Sequence, residues 1–253
     1  MAERNKKQNI VIAGLGEVGK PLFDLASKYH HAIGVDISPL AERIDQVDVL
    51  HVCYPFQIRD FVGETARYIE RFRPAVTILN STVAVGTTRA VIDRTGADVV
   101  HSPVRGKHAR MLDELQIYAK FVGAADPTVG EVAAKHFESL GLKTRVLSSP
   151  EAAELAKLTE TTYFGLIIAW AQEVERYCDQ SGQDYNEIAS FWDEIKYLPS
   201  VKYFPGVIGG HCVMPNIEIL SKFDDSVLLR AIQLSNTMKA EREAQRKELE
   251  AIA

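Results

Sequence analysis

A glycine-rich hexapeptide, GLGEVG at positions 14–19, follows an apolar run and precedes a helix-like stretch. The first glycine permits a tight turn, the second lets the backbone approach a pyrophosphate, and the third lets helix and strand pack closely. Asp36 ends the next apolar run, where a carboxylate can accept hydrogen bonds from both ribose hydroxyls and repel a 2′-phosphate. The pattern therefore predicts a site for NAD rather than NADP. The alternative is a glycine turn that binds another ligand or none.

A second glycine-rich segment, PGVIGGHC at positions 205–212, ends in a cysteine. The thiolate is the nucleophilic form of cysteine, and a cationic His211 beside Cys212 would favour that form. Lys157 is expected on the inward face of a helix, where its amine could stabilise a developing alkoxide. In the alternative interpretation, Cys212 is a small buried residue, and Lys157 pairs with a glutamate three residues away on its own helix.

The segment RGKHAR at 105–110 follows a predicted strand and carries four side chains that can be positive. Ligands of open α/β sheets bind at the carboxyl edge of the strands. We expect Arg105 and Lys107 to hold an anionic group of a small-molecule substrate. The alternative is a solvated basic loop without a ligand.

The helices and strands around these residues must position them. The first 150 residues alternate apolar runs with amphipathic stretches. That alternation predicts βαβ units on a doubly wound sheet. The predicted strands occupy 9–14, 32–36, 47–53, 75–79, 98–101, 120–123 and 144–147. The predicted helices occupy 18–28, 58–71, 86–94 and 128–140.

The pattern changes after Pro150, where apolar residues recur at helical spacing to about Ser181, interrupted only by Gly165. A mixed segment at 184–203, the glycine loop and a last helix, N-capped within 224–226, complete the chain. The predicted fold class is therefore α/β, an N-terminal doubly wound Rossmann domain at 1–149 followed by an all-helical domain with a long central helix at 150–253.

Composition places the chain among ordinary folded proteins. It has 253 residues, a formal net charge of −5 and 46% hydrophobic residues, which excludes collagen, a disulfide scaffold and a disordered tail. The mild acidity argues against binding nucleic acid. Three cysteines without a CxxC pattern suggest reduced thiols in the cytoplasm, and neither a membrane span nor a signal peptide is expected. No metal site is predicted.

Three further segments follow the dinucleotide loop, NSTVAVGTT at 80–88, EAAELAKLTETTY at 151–163 and GVIGGHCVMPN at 206–216. Their order and spacing resemble the UDP-glucose/GDP-mannose dehydrogenase family of nucleotide-sugar dehydrogenases over nearly the whole chain. The GGHC loop is the most specific part, and it is especially similar to that of enzymes that oxidise UDP-N-acetyl-hexosamines. The resemblance implies a homodimer built around the long helix at 151–181.

The resemblance also implies a reaction and the residues that perform it. The family oxidises a sugar primary alcohol to a carboxylate by four electrons, using two NAD⁺. By position, Cys212 resembles the nucleophile that captures the intermediate aldehyde as a thiohemiacetal, before hydrolysis of the resulting thioester. Lys157 resembles the lysine that stabilises the oxyanion. Thr82 resembles the threonine near the nicotinamide and the catalytic water; its alternative role is a turn or cap.

Four departures from the family weaken the expectation of a nucleotide-sugar substrate. Val104 follows Ser102-Pro103 where the family has a glutamate that helps deliver water to the thioester. Thr161 stands where the family has an asparagine, and Asn216 where it has an aspartate. We also expect a short form that lacks the family's C-terminal domain.

The candidate site residues fall into three groups. The catalytic candidates are Cys212, Lys157 and Thr82. The candidates for cofactor binding are Gly14, Gly16, Glu17, Val18, Gly19, Asp36, Tyr54, Ser81 and Thr82. The candidates for substrate binding are Arg105, Lys107, Thr161, His211 and Asn216.

The favoured function is an NAD-dependent oxidoreductase acting on a CH–OH group, with Cys212 and Lys157 converging beside the nicotinamide. One alternative is an NAD(H)-binding protein that has lost the family's activity. Another is a 3-hydroxyacid or imine-type dehydrogenase on the same two-domain plan, although such enzymes do not need a thiol in the GGHC loop.

Overall fold

A computed structural model describes residues 7–36, 46–106, 110–195 and 205–252. The chain forms two compact units, Met1–Lys157 and Leu158–Ala253. The division falls inside a long helix rather than at Pro150, so the first turns of that helix belong to the first unit. Among the described residues, no helix combines the length and the apolar character needed to cross a membrane.

Within the described part of the chain, the first unit contains one seven-stranded sheet. Its strands are β1 (Asn9–Ala13), β2 (His31–Val35), β3 (Val49–Val52), β4 (Val76–Leu79), β5 (Val99–His101), β6 (Lys120–Ala124) and β7 (Thr144–Leu147). The spatial order is β2-β1-β3-β4-β5-β6-β7. Strands β1 to β5 are parallel, β6 is antiparallel to β5, and β7 is parallel to β6. The strand order reverses at β1, which is where ligands of open α/β sheets bind.

The strands are apolar on both faces because helices cover both sides of the sheet. All four residues of β3 and of β4 are buried. One core cluster includes Ile10, Ile78 and Phe137, and the other includes Val11 and Leu50. Full burial of each such large side chain contributes about 1.5–3 kcal/mol to stability.

The helices of the first unit are α1 (Gly19–Ala26), α2 (Phe61–Phe72), α3 (Thr87–Thr95), α4 (Met111–Ile117) and α5 (Pro127–Ser139). The side chain of Asp60 caps α2 by accepting from Gly63 N at 2.8 Å. Asp126 caps α5 in the same way, with Pro127 in the first turn. The sequence analysis did not predict α4, whose sequence is too short to show a helical period.

The long helix α6 (Pro150–Ser181) runs from the first unit into the second, which also contains α7 (Tyr185–Asp193), α8 (Val213–Phe223) and α9 (Val227–Ile252). Gly165 lets α8 approach α6, since a Cβ there would lie 2.7 Å from a methyl of Val213. Ser226 accepts from Leu228 N at 3.2 Å at the start of α9, as the sequence predicted. The structure thus confirms the α/β class with a Rossmann sheet followed by a helical region.

Candidate active site

The first glycine of the hexapeptide makes the turn at the end of β1. Gly14 has a φ of +89°, and its amide donates to the carbonyl of Val35 at 2.8 Å. A Cβ at Gly14 would lie 2.7 Å from the amide nitrogen of Tyr54, which follows β3. Glycine is therefore required both by the backbone conformation and by the close approach of the neighbouring strand.

The other two glycines of the motif have opposite surroundings. A Cβ at Gly19 would overlap the carbonyl oxygen of Gly14, so glycine is needed for α1 to start directly against β1. A Cβ at Gly16 would meet no protein atom within 4 Å. Val18 is the N-cap residue of α1, and the exposed Glu17 precedes it. The helix N-terminus therefore faces open space, as an anion-binding turn requires.

Asp36 follows β2 and reaches the glycine turn. Its carboxylate accepts a hydrogen bond from the amide of Leu15 at 3.0 Å, inside the hexapeptide. Because a carboxylate can accept several hydrogen bonds, this contact orients Asp36 while leaving it suited to the hydroxyls of a ribose. The donor set fits the adenosine side of NAD.

Two cofactor candidates beyond the motif lie together at the ends of β3 and β4. The hydroxyl of Ser81 donates to the carbonyl oxygen of Tyr54 at 2.6 Å. The Tyr54 hydroxyl lies 2.7 Å from that of Thr65, and burial raises its pKa. Thr82 is half-buried one residue further along. The structure therefore brings Gly14, Tyr54 and Ser81 to one edge of the sheet.

Lys157 is half-buried on α6, and its charge acts on residues at the ends of β5 and β6. It lowers the pKa of His101 and of Lys120, in both cases as a contribution smaller than that of burial. Glu154 lies one turn earlier, and its carboxylate accepts from Gly86 N, Thr88 N and the Thr88 hydroxyl at 2.6–2.8 Å. Glu154 therefore anchors the start of α3.

Lys120 is a polar residue of this edge that the sequence analysis missed. It is 3% exposed at the start of β6, and its Nζ donates to the carbonyl oxygens of Ser102 and Pro103 at 2.6 and 3.1 Å. Burial lowers its pKa to about 7. The sequence KFVGA places a lysine at the first position of an apolar strand. Because lysine side chains are mostly exposed, this position alone does not predict a buried amine.

Val104 occupies the position at which the resembling family has its glutamate. The side chain is 7% exposed and packs with Met111 and Leu115 of α4, and Val18 of α1 lies against this group. An apolar side chain in an apolar cluster cannot accept a proton or orient a water molecule. This position therefore supplies no hydrolytic base.

The two arginines of the basic segment 105–110 both contact other side chains in the described part of the chain. The guanidinium of Arg105 lies 5.5 Å from the ring centroid of Tyr118 and 5.4 Å from that of Phe121. Arg110 forms an ion pair with Glu114 at 2.9 Å. Lys107 lies outside the described residues. Arg105 thus remains a candidate anion ligand, held by two aromatic rings rather than extended into solvent.

In the second unit, Cys212 is the N-cap residue of α8, partly exposed and in no disulfide, and it follows the exposed His211. Helix α8 begins directly after the cysteine, at Val213, so Asn216 lies in its first turn. Gly210 has a φ of +78°, which lets the chain turn immediately before the helix. A cysteine at a helix N-terminus faces the positive end of the helix dipole.

Two side chains of the second unit, one on α6 and one on α9, form hydrogen bonds with the backbone of the glycine loop. The side chain of Asn236 accepts from Ile208 N at 2.7 Å and donates to Ile208 O at 3.1 Å. The Gln172 amide donates to Gly206 O at 2.7 Å and to Asn236 Oδ1 at 3.3 Å. These contacts tie 206–208 to α6 and α9, four residues before Cys212. Nothing in the sequence pattern distinguished Asn236 or Gln172.

Two departures from the family contact each other. The Asn216 side chain, which is 4% exposed, donates to the hydroxyl oxygen of Thr161 at 3.0 Å. The Thr161 hydroxyl in turn donates to Leu158 O at 3.1 Å within α6. An uncharged pair thus replaces the asparagine and aspartate expected from the resemblance.

The candidates therefore form two groups. The glycine turn, Tyr54, Ser81, Thr82 and Lys157 belong to the first unit, whereas Thr161, Cys212 and Asn216 belong to the second. The convergence of Cys212 and Lys157 beside a nicotinamide stays a prediction.

The chain is similar to known dehydrogenases over most of its length. Residues 151–241 match the model of the UDP-glucose/GDP-mannose dehydrogenase family, central domain. UDP-N-acetyl-D-mannosamine dehydrogenase from Methanococcus vannielii is 25% identical over 83% of this chain and 60% of its own length. The chain thus spans about 60% of the length of such curated relatives.

Two solved structures share the fold. UDP-D-ManNAc dehydrogenase from Pyrococcus horikoshii superposes with a TM-score of 0.81 at 20% identity, covering 94% of this chain and 70% of the other. The 3-hydroxyisobutyrate dehydrogenase from Mycobacterium tuberculosis superposes with a TM-score of 0.72 at 16% identity, covering 94% of both chains. These likenesses establish the arrangement of a Rossmann sheet followed by helices.

Proposed function

We propose that the protein is an NAD-dependent oxidoreductase that oxidises a CH–OH group of a small, anionic molecule, a proposal supported by the match of residues 151–241 to the model of the UDP-glucose/GDP-mannose dehydrogenase family. The observation that carries the proposal is the geometry of the hexapeptide. Gly19 is required by packing, Gly16 faces open space, and Asp36 accepts a hydrogen bond from the amide of Leu15, the residue before Gly16.

The residues of the turn would hold NAD. The amides at the start of α1 would bind the pyrophosphate, and Asp36 would accept hydrogen bonds from the ribose. Tyr54 and Ser81 would line the next part of the groove, at the ends of β3 and β4. When bound, NAD⁺ supplies the hydride acceptor. The negative charge of Asp36 would oppose the 2′-phosphate of NADP, which supports the choice of NAD.

Lys157 would bind the substrate oxygen and stabilise the negative charge that develops on it as its proton leaves. Its position supports this role, since its charge already reaches the ends of β5 and β6. Thr82 would lie beside it, on the segment after β4. Arg105, together with Lys107, would hold an anionic group of the substrate, and its packing on Tyr118 and Phe121 supports a fixed orientation.

Cys212 would add through its sulfur to the carbonyl carbon of the aldehyde product, and His211, Thr161 and Asn216 would line that part of the site. A second NAD⁺ would have to accept the hydride that converts this adduct into a thioester. A water molecule and a base would then have to hydrolyse the thioester, releasing the acid and the Cys212 thiol. Val104 is buried among apolar side chains and cannot be that base. This observation favours a second candidate, an oxidation that stops after two electrons.

The test is a panel of alcohols, including UDP-N-acetyl-hexosamines and smaller hydroxy acids, assayed for NADH formation and product. We expect turnover with at least one anionic substrate. Lys157→Met should lower kcat by about a hundredfold or more, because one charge stabilising the transition state is lost. Cys212→Ser should abolish acid formation while leaving aldehyde formation, if the thiol acts only in the second oxidation.

The control is Lys143→Met, which removes an exposed lysine of the first unit. Calorimetric titration with NADH distinguishes a protein that binds the cofactor without catalysing a reaction from one that does not bind it. Tight binding without turnover on any substrate would favour a protein that only binds the cofactor, and no binding at millimolar NADH would reject the proposal.

A homodimer would use the exposed side of α6. Tyr163, Leu166, Trp170 and Tyr177 recur at helical spacing along that helix and are 36–55% exposed. A second copy of the same helix is the proposed partner, and sedimentation equilibrium gives the mass that decides it. The cysteine usage of the sequence supports a cytoplasmic location.

A further inference from the structure

Five side chains, four of them buried and the fifth partly exposed, form a continuous chain of hydrogen bonds between the sheet and α5. The Nζ of Lys120 lies 3.5 Å from Asn80 Oδ1, and Asn80 Nδ2 lies 3.0 Å from His51 Nδ1. His51 Nε2 lies 2.9 Å from His136 Nε2, and His136 Nδ1 lies 2.7 Å from Gln8 Oε1. The chain begins at the carboxyl edge of the parallel strands and ends before β1.

The chemistry of these groups fixes the direction of every bond. Lys120 donates, so the oxygen of the Asn80 carboxamide faces it and the amide group faces His51. His51 Nδ1 must then accept, which places the His51 proton on Nε2. That proton is donated to Nε2 of His136, whose own proton therefore lies on Nδ1 and is donated to Gln8. Each histidine is neutral and has one defined tautomer.

Burial supports the neutral state of both histidines. His51 and His136 are 0% and 1% exposed. Burial lowers the pKa of His51 well below its usual range, with smaller contributions from His136 and Lys120. Burial also lowers the pKa of His136 to about 3, and His30 adds to this effect. A charged imidazole would break the donor order of the chain.

Lys120 lacks an acidic partner, since no carboxylate of the described residues lies within ion-pair distance of its Nζ. The groups that face it from β3, β5, α5 and α6 are the thiol of Cys53, His51, His101, the ring of Phe137 at 5.0 Å, and Lys157. Oxygens of uncharged groups, on Asn80, Ser102 and Pro103, therefore provide its hydrogen bonds.

The lysine end of the chain joins the segments that follow β4 and β5. Asn80 is tied to β3 through its own amide, which donates to Val52 O at 2.8 Å. His101 donates from Nε2 to Ser81 O at 3.1 Å. Lys120 adds the bonds to Ser102 O and Pro103 O, so one ammonium group connects both loops at the edge where the substrate would lie.

We propose that the chain from Gln8 to Lys120 holds the segments 80–82 and 102–103 in their reactive arrangement, with Lys120, His51 and His136 as positioning residues. The proposal rests on the proposed function, because it assigns a purpose to the placement of Ser81 and Thr82 beside a nicotinamide. The hydrogen-bond order can be measured without a substrate, so this proposal and the proposed function can fail separately.

The first experiment is a long-range nitrogen–proton spectrum of the ¹⁵N-histidine-labelled protein near neutral pH, with assignment by the variants below. We expect His51 to carry its proton on Nε2 and His136 on Nδ1. A His136 proton on Nε2, or either ring doubly protonated, would overturn the proposed order. His211, which is exposed, serves as the internal reference for a histidine outside the chain of hydrogen bonds.

The second experiment compares hydrogen exchange of the backbone amides at 80–82 in Lys120→Met and in the control Lys143→Met. Loss of the Nζ contacts should speed exchange about tenfold, the ratio for a hydrogen bond of about 1.4 kcal/mol. The control should leave exchange unchanged. Equal exchange in both variants would show that Lys120 does not hold the segment.

Substitutions at His136 test the distal end, even if Lys120→Met does not fold. His136→Gln places an acceptor near the position of Nε2, so it should keep exchange at 80–82 within about twofold of the wild type. His136→Phe keeps the ring but has no acceptor, so exchange should rise about tenfold. Identical behaviour of the two would reject the chain.

Once a substrate is found, the same variants separate positioning from general stability. We expect His136→Phe to lower kcat about tenfold with the KM for NAD⁺ unchanged, and His136→Gln to restore kcat. A fall that follows only the loss of thermal stability, without rescue by glutamine, would contradict a positioning role.

Discussion

Gly14, Gly16 and Gly19 share one sequence motif, but they are glycine for different physical reasons. Gly14 has a positive φ, and Gly19 leaves no room for a Cβ beside the carbonyl oxygen of Gly14. Gly16 has neither constraint within the protein, since a Cβ there would meet no atom within 4 Å. The protein alone therefore explains two of the glycines, and a bound ligand would explain the third.

Alanine substitutions should separate these reasons. Gly19→Ala should lower the free energy of unfolding by about 1–3 kcal/mol, because α1 must move away from β1. Gly16→Ala should leave unfolding unchanged but weaken NADH binding at least about tenfold, because the methyl group would fill the space of the pyrophosphate. Urea unfolding and calorimetric titration measure the two quantities. Unchanged NADH affinity in Gly16→Ala would contradict the assigned site.

Thr161 and Asn216 are two departures from the resembling family that contact each other. Each residue alone departs from the resembling family, yet their side chains are hydrogen-bonded at 3.0 Å. The contact keeps the nearly buried carboxamide of Asn216 satisfied, which avoids a penalty of about 1–3 kcal/mol. The negative charge is nevertheless lost, so the electrostatics of this part of the candidate site differ from those of the family.

At the level of helices and loops, the segment before Cys212 owes its conformation to α6 and α9. A glycine-rich loop has little preference of its own, because glycine is the least restricted residue. Asn236 pairs with both backbone groups of Ile208, as a neighbouring strand would, and Gln172 supports Gly206. The helices therefore determine where α8 begins and where its N-cap cysteine lies.

Removing the Asn236 side chain should loosen this loop selectively. In Asn236→Ala, we expect the amide of Ile208 to exchange about tenfold faster, because its acceptor is lost. The control is Thr237→Ala on the next residue of α9, whose hydroxyl bonds only within the helix at Gln233 O. Mass-spectrometric hydrogen exchange over 205–212 provides the measurement. Equal protection in the two variants would mean that the loop is held by other contacts.

Over the whole molecule, the first unit buries an unusual amount of imidazole. His51, His101 and His136 are each at most 1% exposed. Burial is the largest cause that lowers their pKa values, to about 3 for His101 and His136 and well below the usual range for His51. Stability is consequently linked to pH, since the unfolded chain binds protons that the folded chain excludes.

The sign of this linkage follows from the lowered pKa values. Above the unfolded pKa of about 6.5 the three histidines are neutral in both states, and their contribution to stability is complete. Below about 6.5 the unfolded chain takes up protons at these histidines, whereas in the folded chain His101 and His136 stay neutral down to about 3 and the pKa of His51 is held well below its usual range by burial. Stability therefore falls with decreasing pH by about 1.4 kcal/mol per pH unit and histidine. Urea unfolding at a series of pH values from neutral to mildly acidic should show this loss.

Two variants locate the source of the acid sensitivity. His136→Asn should reduce the slope of unfolding free energy against pH, because one excluded proton is removed. Lys143→Met, which removes an exposed lysine and leaves every histidine in place, is the matched control. The same slope in wild type and His136→Asn would contradict the assignment.

Local sequence determined much of the first unit. The apolar strands, the glycine turn after β1 and Asp36 after β2 were predictable, because each depends on period, turn chemistry or position at a strand end. The Ser226 cap of α9 was predictable for the same reason. Helices α4 and α8 were not, because each is short and each is stabilised mainly by its tertiary contacts.

Tertiary structure alone decided the polar interior. Lys120, His51 and His136 come from β6, β3 and α5, and nothing in their local sequences indicates that they meet. Thr161 and Asn216 likewise pair across two helices, as does Gly165 with Val213. The reason is physical: local sequence fixes backbone preference and the spacing of apolar residues, whereas the partner of a buried polar group is chosen by chain segments that only folding brings together.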